Sequence, residues 1–363
     1  MRHPPDPQKE NPALLEQDGV SEGIEALPQR VDRYGKAKKG ALDIGEYMGT
    51  LPEYQATTKR LLSCGDYLVF NHYWTVDKVK LHGARLCCMP LLCPLCAIRR
   101  GSKALAAYLG RWEVIKAEKP MLRPFLVTLT VKDGDDLEER FKHLQKSQRE
   151  LWMRKSRGRG SVLDGVAGAV WSYEFKRGKN SGLWHPHLHM IALAWNGIDK
   201  EALAAEWHNI TGDSFIVDVR PIDQTDEASG FMEVFKYAIK FSDQPPADTV
   251  HSWRILKGKR LLASSGCFRD VEVPETMMDD EEGLQNLPYV QLFYSFGGKG
   301  YSLNRRKEFS ADVPKKVTRD PAALSVYSSP PPSYRNVEFK AAYENLKRES
   351  NGWVHKPIGK QAL

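Results

Sequence analysis

Apolar and polar positions are most regular between about residues 120 and 240. Phe125-Leu126-Val127-Thr128-Leu129-Thr130-Val131 is mostly β-branched or apolar and predicts a strand central to a sheet. Asp135 to Arg154 has helical spacing. Gly165 to Phe175 and His187 to Ala194 predict two strands, joined by a connection through Gly178 and Gly182. A helix over Asp199 to Ile210, a short strand over Phe215 to Val219 and a helix over Gly230 to Phe241 complete the stretch.

The order β-α-β-β-α-β-α predicts an α+β fold, with a ferredoxin-like, mostly antiparallel sheet backed by helices. Upstream, residues 1–45 are polar, rich in Pro, Gly, Lys and Glu, and without periodicity, which predicts a disordered segment. Residues 46–119 form a Cys-rich segment ending in a helix over Ala97 to Lys116, with Leu105, Leu109 and Trp112 at turn spacing. Residues 120–245 are the expected catalytic unit. In 246–305 the pattern weakens to a basic run, Lys257-Gly258-Lys259-Arg260, an acidic run, Asp279-Asp280-Glu281-Glu282, and an aromatic strand over Tyr289 to Phe296. This part is the expected C-terminal extension in contact with DNA, and 306–363, with Pro330-Pro331-Pro332, reads as a flexible basic tail.

Six cysteines in a chain with no apolar h-region near Met1 argue against a disulfide scaffold and for a cytoplasmic protein. Five of them fall between Cys64 and Cys96, and such crowding is typical of thiolate zinc ligation. Cys93 and Cys96 form a Cys-x-x-Cys knuckle. Cys64 and Cys88 complete the expected structural zinc set, with Cys87, His72 and His82 in competition; a redox dithiol or buried free thiols are the alternative. No apolar run approaches a membrane span. The net charge of +7 favours a polyanionic partner, and Arg154, Lys155, Arg157 and Arg159 concentrate in one helix end and the loop after it.

His187 and His189 alternate on a predicted strand, so they share a face and can hold one divalent cation, Mg²⁺ or Mn²⁺. If the two strands pair as a hairpin, Glu174 can reach the same ion as a third ligand. His185 has the same parity, but Pro186 disturbs the pairing there, so it ranks below them. On the helix, at about 100° per residue, Tyr237 and Lys240 lie about 40° and −20° from Glu233, opposite Phe231, Val234 and Phe235. Tyr237 is thereby a candidate nucleophile toward phosphorus, Lys240 a charge favouring phenolate, and Glu233 a general base or a partner of Lys236 or Lys240.

In order and approximate spacing, the strand at Phe125, His185-Pro186-His187-Leu188-His189 and Glu233-x-x-Lys236-Tyr237-x-x-Lys240 resemble the three motifs of HUH endonucleases. The chain is most similar to plasmid rolling-circle replication initiators, the Rep proteins, in the branch with one catalytic tyrosine and a glutamate four residues before it. Cys64-Gly65, Cys88-x4-Cys93-Pro94-x-Cys96 with Arg99 and Arg100, and Leu256-Lys257-Gly258-Lys259-Arg260 also resemble that branch. The resemblance implies that the histidine pair binds the ion and Tyr237 nicks one strand at the plasmid origin. It also implies that Glu233 promotes terminating hydrolysis, and that a host helicase and DNA polymerase in the bacterial cytoplasm continue the work. Lys236 joins the arginine cluster as an expected DNA contact. The adjacent Cys87-Cys88 departs from the branch, which has a single cysteine there. A relaxase or transposase of the same superfamily, or a zinc-containing DNA-binding protein without catalysis, are the competing readings.

Overall fold

Alternating strands and capped helices of the expected order form the middle of the molecule. The computed structural model describes residues 23–158, 160–235 and 244–309; Arg159, Lys236, Tyr237 and Lys240 lie outside the described residues. The helices are α1 (Leu27–Gly49), α2 (Gln55–Leu62), α3 (Pro94–Glu118), α4 (Leu137–Ser156), α5 (Lys200–Thr211), α6 (Glu227–Phe235) and α7 (Pro246–Leu256). The strands are β1 (Tyr67–Tyr73), β2 (Lys78–Ala84), β3 (Arg123–Thr130), β4 (Val166–Arg177), β5 (Trp184–Ala194), β6 (Val217–Pro221), β7 (Leu262–Gly266), β8 (Tyr289–Phe296) and β9 (Tyr301–Phe309).

Antiparallel pairing in the order β6-β3-β5-β4-β7 builds the larger sheet, with β3 and β4 split by β5 as the α+β reading requires. Local chemistry sets the helix starts. Asp136 caps α4 by accepting from the Glu138 and Glu139 amides, and Asp199 caps α5 by accepting from Ala202. Gly212, at φ 71°, ends α5 in the left-handed region.

Each face of this sheet buries its own core. Val127, Leu129, Trp171, Tyr173, Leu188 and Met190 pack under Phe141 and Leu144 of α4 and Leu203 and Trp207 of α5. Val170, Ile191 and Leu193 point the other way, under Tyr108 and Trp112 of α3 and Phe231 and Phe235 of α6. Directly paired residues share a face, so Thr128, Ser172, Glu174, His187 and His189 belong to this second face, beyond the end of its apolar core.

The expected disorder of residues 1–45 is corrected from Leu27 on, where α1 is a long helix. Its buried stripe, Leu27, Val31, Tyr34, Ala41, Ile44 and Met48, has helical spacing, but Arg30, Arg33 and Lys38 are buried among those residues and mask the apolar signal. Lys38 Nζ donates to the Leu62 carbonyl at 2.5 Å and meets Asp66 at 2.9 Å, which makes a buried lysine tolerable.

The expected boundaries at 119 and 245 do not separate this part from the later extension. β1 pairs with β8 in the smaller sheet, β2-β1-β8-β9, so residues 46–119 and 246–305 share one hydrophobic core with α1. The acidic run supplies that core with a polar clasp. Asp279 receives Arg30 at 2.7 Å, Arg99 at 2.5 Å and the Leu81 amide at 2.6 Å, while Arg99 and Arg30 also donate to the Tyr34 hydroxyl. Burial pushes the Asp279 carboxyl up, but Arg99 and Arg30 outweigh it and hold its pKa well below the carboxylate range.

Candidate metal centres and nicking site

The cysteine cluster assembles from the turn after α2, the loop after β2 and the start of α3. Sγ atoms of Cys64, Cys87, Cys93 and Cys96 lie within 4.8 Å of one another, all buried. Gly65, at φ 73°, lets the chain turn directly after Cys64; a Cβ there would lie 2.5 Å from Leu95 and 2.7 Å from the Tyr301 hydroxyl. Cys93 is the N-cap of α3 and Cys96 sits in its first turn, where the helix dipole favours thiolate. Hydrogen bonds from Cys64, then from Cys87 and Cys93, pull the Cys96 thiol well below its ordinary value, and burial pushes Cys93 up.

The expected ligand Cys88 is corrected to Cys87. Cys88 is exposed, adopts φ 56° and turns its Sγ toward the Leu86 carbonyl, whereas Cys87 is buried with its Sγ 3.5 Å from Cys96. The left-handed backbone at Cys88 breaks the extended course of the segment, and only Cys87 joins the other three sulfurs. His72 and His82 instead meet Asp77 and Glu281. The four sulfurs suit a closed tetrahedral site of the structural zinc type.

The hairpin expected from sequence forms, and it sets Glu174 directly opposite His187 and Ser172 opposite His189. His189 Nε2 lies 2.6 Å from Glu174 Oε2, and its Nδ1 lies 3.2 Å from the Thr128 hydroxyl. The His187 and His189 rings stack with centroids 5.8 Å apart. Burial, opposed by the Glu174 charge, lowers the His187 pKa to about 2, so this ring is a neutral imidazole with a lone pair to give. Its Nδ1 is buried and has no hydrogen-bond partner among the described residues. That neutral nitrogen stands beside a second histidine and a buried carboxylate, donor types that suit a divalent cation, but among the described residues only the four cysteines bring three or more ligand atoms within 4.8 Å of one another. His185 turns to Asp133 through Nδ1, and Ser181 holds the other oxygen of that carboxylate.

Helix α6 is fastened over the same face at both ends. Glu227 accepts from Trp112 Nε1 at 2.8 Å and Lys116 at 2.9 Å, and the Val234 carbonyl accepts from the hydroxyl of Ser172, the cross-strand partner of His189. Gly101 lets α3 approach, since a Cβ there would lie 3.2 Å from the Phe235 carbonyl. Phe231, Val234 and Phe235 are buried and Glu233 is half-buried, as the helical wheel requires of the described part. Glu227 and Ser172 escaped the reading of the sequence because neither belongs to a motif; only the fold gives them a partner.

The arginine cluster is elsewhere. Helix α4 packs on the opposite face of the sheet and ends beside the start of β4, whereas Glu174 lies near the strand's other end. Arg154 meets Glu150 and Asn209, Lys155 lies over the Trp152 ring, and Arg157 is exposed. The structure therefore does not bring Arg154, Lys155 or Arg157 to the histidines.

A model of the replication protein family matches residues 78–291, more than half of the chain. The chain belongs to this family of replication proteins. Its matched region spans β2 to β7, the Cys93–Cys96 knuckle and the histidine hairpin, in agreement with the expected replication initiator. Among similar proteins is a protein rep of Bacillus sp, 24% identical over 268 residues that cover 64% of this chain and 85% of the relative. Another is a protein rep of Bacillus amyloliquefaciens, 24% identical over 305 residues that cover 73% and 87%. A protein rep of Lactiplantibacillus plantarum is 25% identical over 264 residues, covering 66% and 80%. No solved structure matches the chain.

Proposed function

We propose that the protein initiates rolling-circle replication of a plasmid by nicking one DNA strand at the origin, with Tyr237 as nucleophile. One observation supports this above the others: α6 is tied through Val234 to the cross-strand partner of His189, on the face that carries His187 and Glu174. Tyr237 follows Phe235, the last described residue of that helix, by two positions in the sequence.

In the proposed reaction the Tyr237 oxygen attacks phosphorus, the bond from phosphorus to the 3′ oxygen breaks, and that oxygen leaves as a 3′ hydroxyl. The 5′ phosphate stays on the tyrosine. His187, His189 and Glu174 would hold Mg²⁺ or Mn²⁺, which supplies Lewis-acid polarisation of a non-bridging phosphate oxygen. Lys240 favours the phenolate, and Glu233 takes a proton from water when the cycle ends in hydrolysis. The free 3′ hydroxyl is a primer, so a host DNA polymerase and a helicase are the partners this chemistry asks for. Lys236 contacts DNA near the nick, while Arg154, Lys155, Arg157 and Arg159 serve flanking duplex away from the cut. Zinc in the cysteine quartet is structural.

The test is a denaturing gel after incubation with Mn²⁺ and single-stranded oligonucleotides tiling the protein's own replicon. A covalent adduct is expected, and Tyr237→Phe abolishes it. An adduct that survives this substitution refutes the assignment; binding without any adduct favours the non-catalytic zinc protein.

A further inference from the structure

Two segments singled out by the resemblance take no part in the nicking scheme, namely Arg100 after the knuckle and Arg260 after α7. They meet in space. Both line a cavity of about 280 Å³ whose walls include Tyr108, Phe235, Leu262 and Val273. Leu262 pairs with Ser172, which pairs with His189, so the cavity wall lies in the cross-strand row of the candidate metal site. Two strand spacings of about 4.8 Å put Leu262 about 10 Å from His189, on the same face.

The cavity is lined by both cationic and apolar side chains. Among the described residues, Arg100 gives one guanidinium nitrogen to the Pro274 carbonyl and Arg260 its Nε to the Leu262 carbonyl, and the rest of each planar fork can meet an anion. The rest of the lining is mainly aromatic and aliphatic. The volume lies at the lower bound, about 300 Å³, of sites for small organic molecules, which is room for one nucleotide and not for several.

We propose that this cavity binds a single unpaired nucleotide of the origin strand close to the scissile phosphate, its base between the apolar walls and its phosphate on Arg100 and Arg260. This deepens the nicking scheme and rests on it for the strand's identity. A captured base fixes the register of the strand, so the cavity is a positioning device for the cut. Contact with a base face and a phosphate tolerates several bases, so the selectivity it adds lies in strand geometry more than in base-edge readout.

The experiment is fluorescence anisotropy of the full chain with labelled single-stranded oligonucleotides from its own replicon, in a series with each position made abasic in turn. One or two adjacent abasic positions should weaken binding about ten-fold. Val273→Trp, which fills the cavity, should flatten that profile while retaining residual binding, and Arg260→Ala, at an exposed position, should weaken binding of the unmodified strand. A flat profile in the wild type, a sensitive position that persists in Val273→Trp, or no binding of any oligonucleotide overturns the inference. Adduct formation with a flat profile sinks the cavity alone. A position-sensitive profile without adduct sinks the nicking scheme and leaves the cavity a nucleotide site.

Discussion

Replacing Asp279 by Asn removes the negative charge that Arg30 and Arg99 share. The side chains of those arginines are 6% and 1% exposed, so water cannot take over their solvation. Removing one partner of a buried ion pair costs about 3–5 kcal/mol, because the other charge stays buried without compensation. Asn keeps an oxygen for the Leu81 amide, which places the expected loss near the lower end, about 3 kcal/mol. At about 2–4 °C per kcal/mol for a unit of this size, the melting temperature falls by about 6–12 °C. Calorimetry or urea unfolding followed by circular dichroism reads this directly. The pH dependence gives an independent arm. The folded pKa of Asp279 lies below its unfolded value, so its contribution is complete above the unfolded value, near 3.9, and is lost as pH falls through the folded one. The gap between wild type and Asp279→Asn should be full at pH 7 and should shrink below about pH 4. Asp279→Leu combined with Arg30→Met and Arg99→Met should recover most of the loss, since apolar replacement of a whole buried ion cluster is often neutral. A single variant within about 1 kcal/mol of wild type, or a gap that does not change with pH, would refute the clasp.

The zinc assignment separates two adjacent residues: Cys87→Ala should lose bound zinc by elemental analysis and Cys88→Ala should keep it, and the reverse would return the site to Cys88. His187→Ala should weaken Mn²⁺ binding at least about ten-fold, read as free Mn²⁺ by electron paramagnetic resonance; unchanged binding would remove the histidine pair from the ion. Glu233→Ala should still form the phosphotyrosyl adduct but release it slowly, and equal loss of both steps would leave Glu233 no special role in hydrolysis.

The half of the molecule that carries the histidine hairpin was legible because its signals are local. The strand at Phe125, the hairpin carrying Glu174 and His187, and the apolar side of α6 each follow from a period of about two or 3.6 residues, and the structure reproduces them. Helix α1 was not legible, since three cations lie in its buried stripe and their partners come from elsewhere in the chain: Asp279 for Arg30, Asp66 and the Leu62 carbonyl for Lys38. The structural role of the acidic run was hidden for the same reason. Nothing within it shows that Asp279 is destined for two buried arginines.

Sequence alone determined residue chemistry and short-range order: which thiols and imidazoles stand at ligand spacing, which residues share a strand face, and that Phe231, Val234 and Phe235 form one apolar side of a helix. Tertiary structure decided what those groups meet. It chose Cys87 over Cys88, because only one of two neighbours can face the other three sulfurs. It also moved the arginine cluster away from the histidines, because α4 must bury its apolar stripe on the other side of the sheet. Periodicity is a property of neighbours along the chain, whereas partners far apart in sequence are selected by the shared cost of burying polar groups without a bond.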